Sequence, residues 1–113
     1  MYSKELNNVD LFFIRLKHGW VSEEKKKLLY ELVISLDNAT KLQKERFILF
    51  YNLNSKLNIK YNLSSLGRKQ KCSSSAIKYS ISRIRSFLVN LTDSRKEIFE
   101  KIIKDDDYFI KII

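Results

Sequence analysis

Apolar residues along this chain recur at steps of three and four, the spacing of helices that bury one stripe. Leu6, Val9, Phe13, Leu16 and Trp20 open the series and predict a helix over residues 4–18, with Ser3 as a candidate N-cap and Gly19 as the residue that ends it. The run LFFI at residues 11–14 also admits a short strand. Trp20, closing the stripe, is expected to anchor in the core. Ser22, Glu23 and Glu24 place a cap and two carboxylates at the next helix start, which should run to about Asp37 and bury Leu28, Leu29, Leu32, Val33 and Leu36, leaving Lys25, Lys26 and Lys27 solvated. Thr40 and Gln43 have the spacing of a capping box, opening a helix to about Leu53. Its Leu42, Ile48, Leu49, Phe50 and Leu53 are too broad for one stripe and predict a central position. Residues 54–61 carry no strong pattern.

Residues 62–88 read as two helices joined by a tight turn. Leu63 and Leu66 are the core side of the first. Ser73 is a candidate N-cap for the second, in which Ile77, Ile81, Ile84 and Leu88 advance by 4, 3 and 4 and must share one face. Gly67 costs helix propensity but permits close approach of the second helix. A loop at Thr92, Asp93 and Ser94 follows, where Ser94 and Glu97 repeat the capping-box spacing, then Ile98, Phe99, Ile102 and Ile103 at helical steps. Asp105 to Asp107 mark a break. The closing YFIKII either continues as helix, which we favour, forms a dimer contact, or pairs as a strand with residues 98–104 in a wing-like hairpin.

No proline and two glycines among 113 residues supply few turns for a sandwich or barrel. The expected fold is therefore mainly α: one compact domain of about five helices containing a helix-turn-helix, with a winged variant as the alternative. Residues 1–40 form its support, 41–90 its core and 94–113 its closing element. One cysteine, Cys72, allows no internal disulfide, and His18 stands alone, so neither a zinc site nor another cofactor is expected. Catalysis would need a poised His or Cys with a partner, or clustered carboxylates, and we expect no enzyme. No segment has the length of a membrane span, and MYSKELNNVD lacks the apolar region of a signal peptide. A cytoplasmic, reducing setting is expected.

The charge distribution changes the picture more than its net value of +9. Residues 1–55 hold 9 basic and 7 acidic side chains and residues 93–113 hold 5 and 6, whereas residues 56–92 hold 8 basic and none acidic. Such segregation is the electrostatic footprint of a nucleic-acid binder. Opposite the isoleucine face of the second helix stand Ser74, Ser75, Lys78, Ser82 and Arg85, flanked by Tyr79, Arg83 and Ser86. Cations reach phosphates and guanine edges, short hydroxyls let the backbone approach the groove, and the N-terminal turns of a recognition helix do the base reading. Arg68, Lys69, Lys71 and Ser73 sit where the first helix and the turn would meet the phosphate backbone.

The residues from Leu42 to Leu88 resemble region 4 of bacterial sigma factors of the sigma-70 family. Leu42, Arg46, Ile48 and Leu49 match the helix that precedes the family's helix-turn-helix; Leu63, Leu66, Gly67, Ser73, Ile77, Ile81, Arg83 and Leu88 fall in step with the motif itself. The resemblance implies a helical module with residues 74–89 in the major groove. Lys71 stands where the family usually has a small residue or glycine, and Ser74, Ser75 and Tyr79 stand where it has Arg, Glu and Gln, which separates the implied fold from the family's usual promoter target. Residues 1–40 do not resemble the region that melts promoters. The expected function is sequence-specific binding of double-stranded DNA, as a small transcriptional regulator or an accessory site-marking protein of a plasmid or phage, with homodimerisation a separate expectation. The alternative is a sigma-region-4-like module that docks on RNA polymerase or a sigma factor.

Overall fold

Side-chain caps set where the helices begin. In the computed structural model, which describes residues 7–54 and 59–104, Asn7 Oδ1 accepts from Asp10 N (2.8 Å) and starts α1, Asn8–Lys17. Ser22 caps α2, Glu23–Ile34. Thr40 and Gln43 close the expected capping box reciprocally at α3, Lys41–Phe50. Asn62 and Ser65 form a second box at α4, Leu63–Gln70, and Ser73 accepts from Ala76 N to start α5, Ser74–Val89. Each cap satisfies a backbone donor that would otherwise lack a partner. At α6, Arg95–Ile103, the expected box at Ser94 is absent: Asp93 Oδ1 accepts from Arg95 N (2.9 Å) instead.

Three helix ends share one device. Gly19, Asn52 and Lys71 adopt left-handed backbone conformations, φ +81°, +52° and +57°. In each case the next amide donates back to a carbonyl five residues earlier: Trp20 to Arg15 O, Leu53 to Ile48 O and Cys72 to Gly67 O. These are Schellman turns. The turn at Gly19 diverts the chain from the axis of α1, which is why Trp20 is 58% exposed and stacked on His18 rather than in the core as the stripe suggested.

Among the described residues there are six helices rather than about five, and no strand. α5 packs against α3, α4 and α6, and α6 also against α1 and α2. The core holds Phe12, Phe13, Leu16, Leu29, Leu32, Val33, Leu36, Phe47, Leu66, Ile77, Ile81, Ile84 and Leu88. Residues 11–14 are helical, against the strand alternative. Residues 98–103 are helical too, which removes the strand that a wing would have paired. The proposed cap Ser3, the stripe residue Leu6, the Asp105 to Asp107 break and the YFIKII end lie outside the described residues. α2 ends at Ile34 rather than near Asp37, and α3 at Phe50 rather than near Leu53. Leu28 and Leu42, expected inside, are 40% and 47% exposed; Phe47, fully buried, takes the central place on α3.

Lys17 joins three elements. Its Nζ donates to Phe50 O (2.7 Å) and Tyr61 O and lies 3.7 Å from the Phe50 ring centroid. Burial, and next the neighbouring charge of Lys60, lower its pKa from 10.5 to about 8. The native state thus releases this proton before the unfolded chain does, so Lys17 lowers stability most below pH 8 and progressively less as pH rises toward 10.5. The native protein should gain stability relative to Lys17→Met between pH 8 and 10 in paired denaturant titrations; a pH-independent difference would remove this account.

Gly67 sets the spacing of α4 and α5. A β-carbon there would lie 2.8 Å from the Cys72 carbonyl oxygen in the turn and 3.5 Å from Ser74 N at the start of α5, both backbone atoms. Gly67→Ala gains roughly 1 kcal/mol of helix propensity, but the crowding costs about 1–3 kcal/mol. A lower melting temperature is expected in calorimetry, and a rise would show that the turn yields freely.

Candidate nucleic-acid interface

The α4–α5 pair is held in place from behind by polar contacts. Ser80 is buried on the core face of α5; its Oγ accepts from Arg46 Nη1 (3.0 Å) and donates to Ala76 O (3.2 Å). Arg46 Nε also donates to Gln70 Oε1 (3.4 Å), and Gln70 Nε2 donates to Glu45 (2.9 Å). One arginine of α3 thus bridges the end of α4 to the middle of α5, with every buried polar side-chain atom among the described residues satisfied. Arg46 stood out in the sequence as part of the sigma-like pattern. Ser80, Gln70 and Glu45 did not, although Ser80, three after Ile77 and four before Ile84, borders the isoleucine arc.

In front, Ser75, Tyr79, Ser82 and Ser86 advance by 4, 3 and 4 along α5, are all exposed, and form one stripe opposite Ile77, Ile84 and Leu88. Lys78 flanks this stripe on one side and Arg83 on the other. Tyr79 and Ser86 are therefore central, not flanking. Ser74 is exposed in the first turn, and Ser73 is exposed while serving as the cap. Arg68 and Lys69 are exposed in the last turn of α4, followed by exposed Lys71. Among the described residues, none of Arg68, Lys69, Lys71, Lys78 and Arg83 has an ion-pair partner.

Arg85 is the correction. It was expected on the outward face, but its Nη2 lies 2.7 Å from Asp10 Oδ1, and its guanidinium carbon sits 4.6 Å from the Phe13 ring centroid. It ties α5 to α1, beside the cluster of Phe13, Phe47 and Tyr51. Burial raises the Tyr51 pKa, and the nearby Arg85 charge partly opposes that shift. Arg85 thus contributes to the scaffold, with its charge already paired.

Of the remaining lysines, Lys26 pairs with Glu23 at 3.1 Å and Lys44 donates to Ile34 O at 2.9 Å. No group of three His, Cys, Asp or Glu side chains among the described residues is placed to hold a metal ion. No described helix is long and apolar enough to cross a membrane. Compared with known proteins, the chain matches no family model, no curated protein and no solved structure.

Lys71 adopts φ +57°, ψ +46°, a conformation that costs a residue with a β-carbon about 1–2 kcal/mol. Glycine avoids that strain while losing more entropy on folding. Lys71→Gly should therefore stabilise the fold by roughly 0.5–1 kcal/mol, read as a higher denaturation midpoint at unchanged slope. A lower midpoint would mean that the lysine side chain stabilises the turn.

Proposed function

We propose that the protein is a sequence-specific double-stranded DNA-binding protein that uses α4 and α5 as a helix-turn-helix, with α5 as its recognition helix. The observation that carries this reading is the clustering of five exposed cations, Arg68, Lys69, Lys71, Lys78 and Arg83, without ion-pair partners among the described residues, around a hydroxyl-rich outward stripe. No carboxylate interrupts residues 56–92. A helix of this width fits the major groove, and the cations at the end of α4 and in the turn meet the phosphates on either side. The resemblance to sigma region 4 supports the same arrangement, and its departures at Ser74, Ser75 and Tyr79 point away from an ordinary promoter element. A small cytoplasmic transcriptional regulator, or an accessory protein marking a site on a plasmid or phage, fits these properties; neither role needs an active site.

A second reading has its own support. A groove of about 290 Å³ lies between α2, α3 and the segment that precedes α4, with Tyr30, Ile34, Ile48, Leu49, Ile59 and Tyr61 as its apolar lining and Lys41, Lys44, Glu45, Asn52 and Asn54 as its polar lining. Such a groove accepts apolar side chains of a protein, as a module docking on RNA polymerase or a sigma factor would require. Recovery of polymerase in a pull-down, with DNA binding undetectable, would favour this reading over the first.

Five phosphate contacts predict a slope of about −4.5 for log affinity against log salt. Lys78→Ala should weaken binding to all sequences and reduce the slope by about 1. Arg85→Ala should leave the slope unchanged and lower the melting temperature, because that guanidinium holds Asp10 and Phe13. Mobility-shift titrations over a range of salt, with calorimetry of both variants, test this; an unchanged slope in Lys78→Ala would remove the assigned face. Light scattering with and without DNA tests homodimerisation, which a monomer mass in both would exclude.

A further inference from the structure

The outward stripe of α5 offers a narrow chemistry. From Ser74 to Ser86 the helix holds no Asn, Gln, Asp or Glu, the side chains that fork onto adenine or accept from cytosine in the major groove. Its two arginines are directed elsewhere. Arg85 is held by Asp10 and the Phe13 ring, and Arg83 lies on the flank with its guanidinium carbon 4.8 Å from the Phe87 ring centroid. Forked contact to guanine from the centre of the stripe is therefore not available. At the centre of the stripe what remains are the hydroxyls of Ser75, Ser82 and Ser86, which bond to several base edges without choosing among them, and the Tyr79 ring, 61% exposed, with the Lys78 ammonium on the flank beside the phosphates.

Tyr79 supplies the large apolar surface in the N-terminal half of the stripe, where a recognition helix reads bases. The apolar feature that distinguishes one natural base from the others in the major groove is the 5-methyl group of thymine. Ser75, four residues before Tyr79, and Ser82, three after it, are short on the same face and let the backbone come close enough for the ring to reach the groove floor. Resting on the DNA-binding reading above, we infer that Tyr79 is a specificity-determining residue that selects thymine through its 5-methyl group. The bound site then contains an A·T pair where the first half of α5 enters the groove, and affinity depends on a methyl rather than on a forked hydrogen bond.

Uracil is thymine without that methyl, so the exchange removes one contact while preserving base pairing. The full chain is used to select duplexes from a random-sequence pool, and a bound duplex is remade with uracil for thymine at one position at a time. At one or two positions the exchange should weaken binding roughly fourfold, the loss of one buried methyl, with no effect elsewhere. Tyr79→Phe should retain that ratio, since the ring and not the hydroxyl makes the contact. Tyr79→Ala should bring the ratio to one with the salt slope unchanged; the residue is exposed, so folding is preserved and is checked by circular dichroism. Duplexes insensitive to every uracil exchange would overturn the inference, as would a ratio that survives in Tyr79→Ala or vanishes in Tyr79→Phe. Failure to retain any duplex from the pool would overturn the DNA-binding reading itself, and this inference with it.

Discussion

The Cys72 carbonyl oxygen occupies the space where a β-carbon on residue 67 would project, at 2.8 Å. That contact fixes how closely the end of α4 approaches the start of α5. Two further features depend on it. The Gly67 carbonyl accepts from the Cys72 amide at 2.9 Å, closing the turn through Lys71 in a left-handed conformation. The turn in turn aims Ser73 so that its side chain caps α5. One residue without a side chain therefore governs the helix end, the turn and the next helix start. The price of the geometry is borne at Lys71, where a lysine takes a conformation better suited to glycine.

From that fixed pair the rest of the fold works outward. α5 needs one buried arc, and α3, α4 and α6 cover it with Phe47, Leu66 and Phe99 among the buried residues. Burial of that arc sets the rotation of α5 about its axis only to within the width of the arc. Arg46 reaching Ser80 from behind and Arg85 reaching Asp10 from the side specify it, because each joins a polar group on α5 to one position on another helix. The half-exposed Arg85–Asp10 pair adds modest stability by itself. Its importance here is orientational: with Arg85 drawn toward α1, the outward stripe belongs to serines and Tyr79.

Two populations of cations stand out that a count of charges cannot distinguish. Lys17, Lys44 and Arg95 donate to backbone carbonyls near the ends of α3 and α2, which supply acceptors that the helices leave unpaired. Arg95 also holds Asp93, whose hydrogen bonds from Arg95 lower the carboxyl pKa while the same contact raises that of the guanidinium. Arg68, Lys69, Lys71, Lys78 and Arg83 have no such employment among the described residues. The proposed function draws on this second population.

Features that act within about one helical turn are legible in the residues themselves. Caps at Ser22, Thr40 and Ser73, the helix end at Gly19, the need for glycine at 67 and the buried arc of Ile77, Ile81, Ile84 and Leu88 follow from spacings of three to five residues, over which backbone geometry is fixed. The mainly helical class followed from the same periodicity with the scarcity of turn residues. Contacts between residues far apart along the chain came from the packing of the helices. Arg85 meets Asp10 across 75 residues, Lys17 meets Tyr61 across 44, and Arg46 meets Ser80 across 34. A helical wheel shows which way a side chain leaves its own helix, but not what waits there. Trp20 lies outside the core because a turn diverts the chain, and Leu28 and Leu42 because no helix among the described residues covers them. The basic segment was legible in the sequence; which of its charges remained outward was settled by the packing of α3, α4 and α6 around α5 and by the reach of Arg85 to Asp10 on α1.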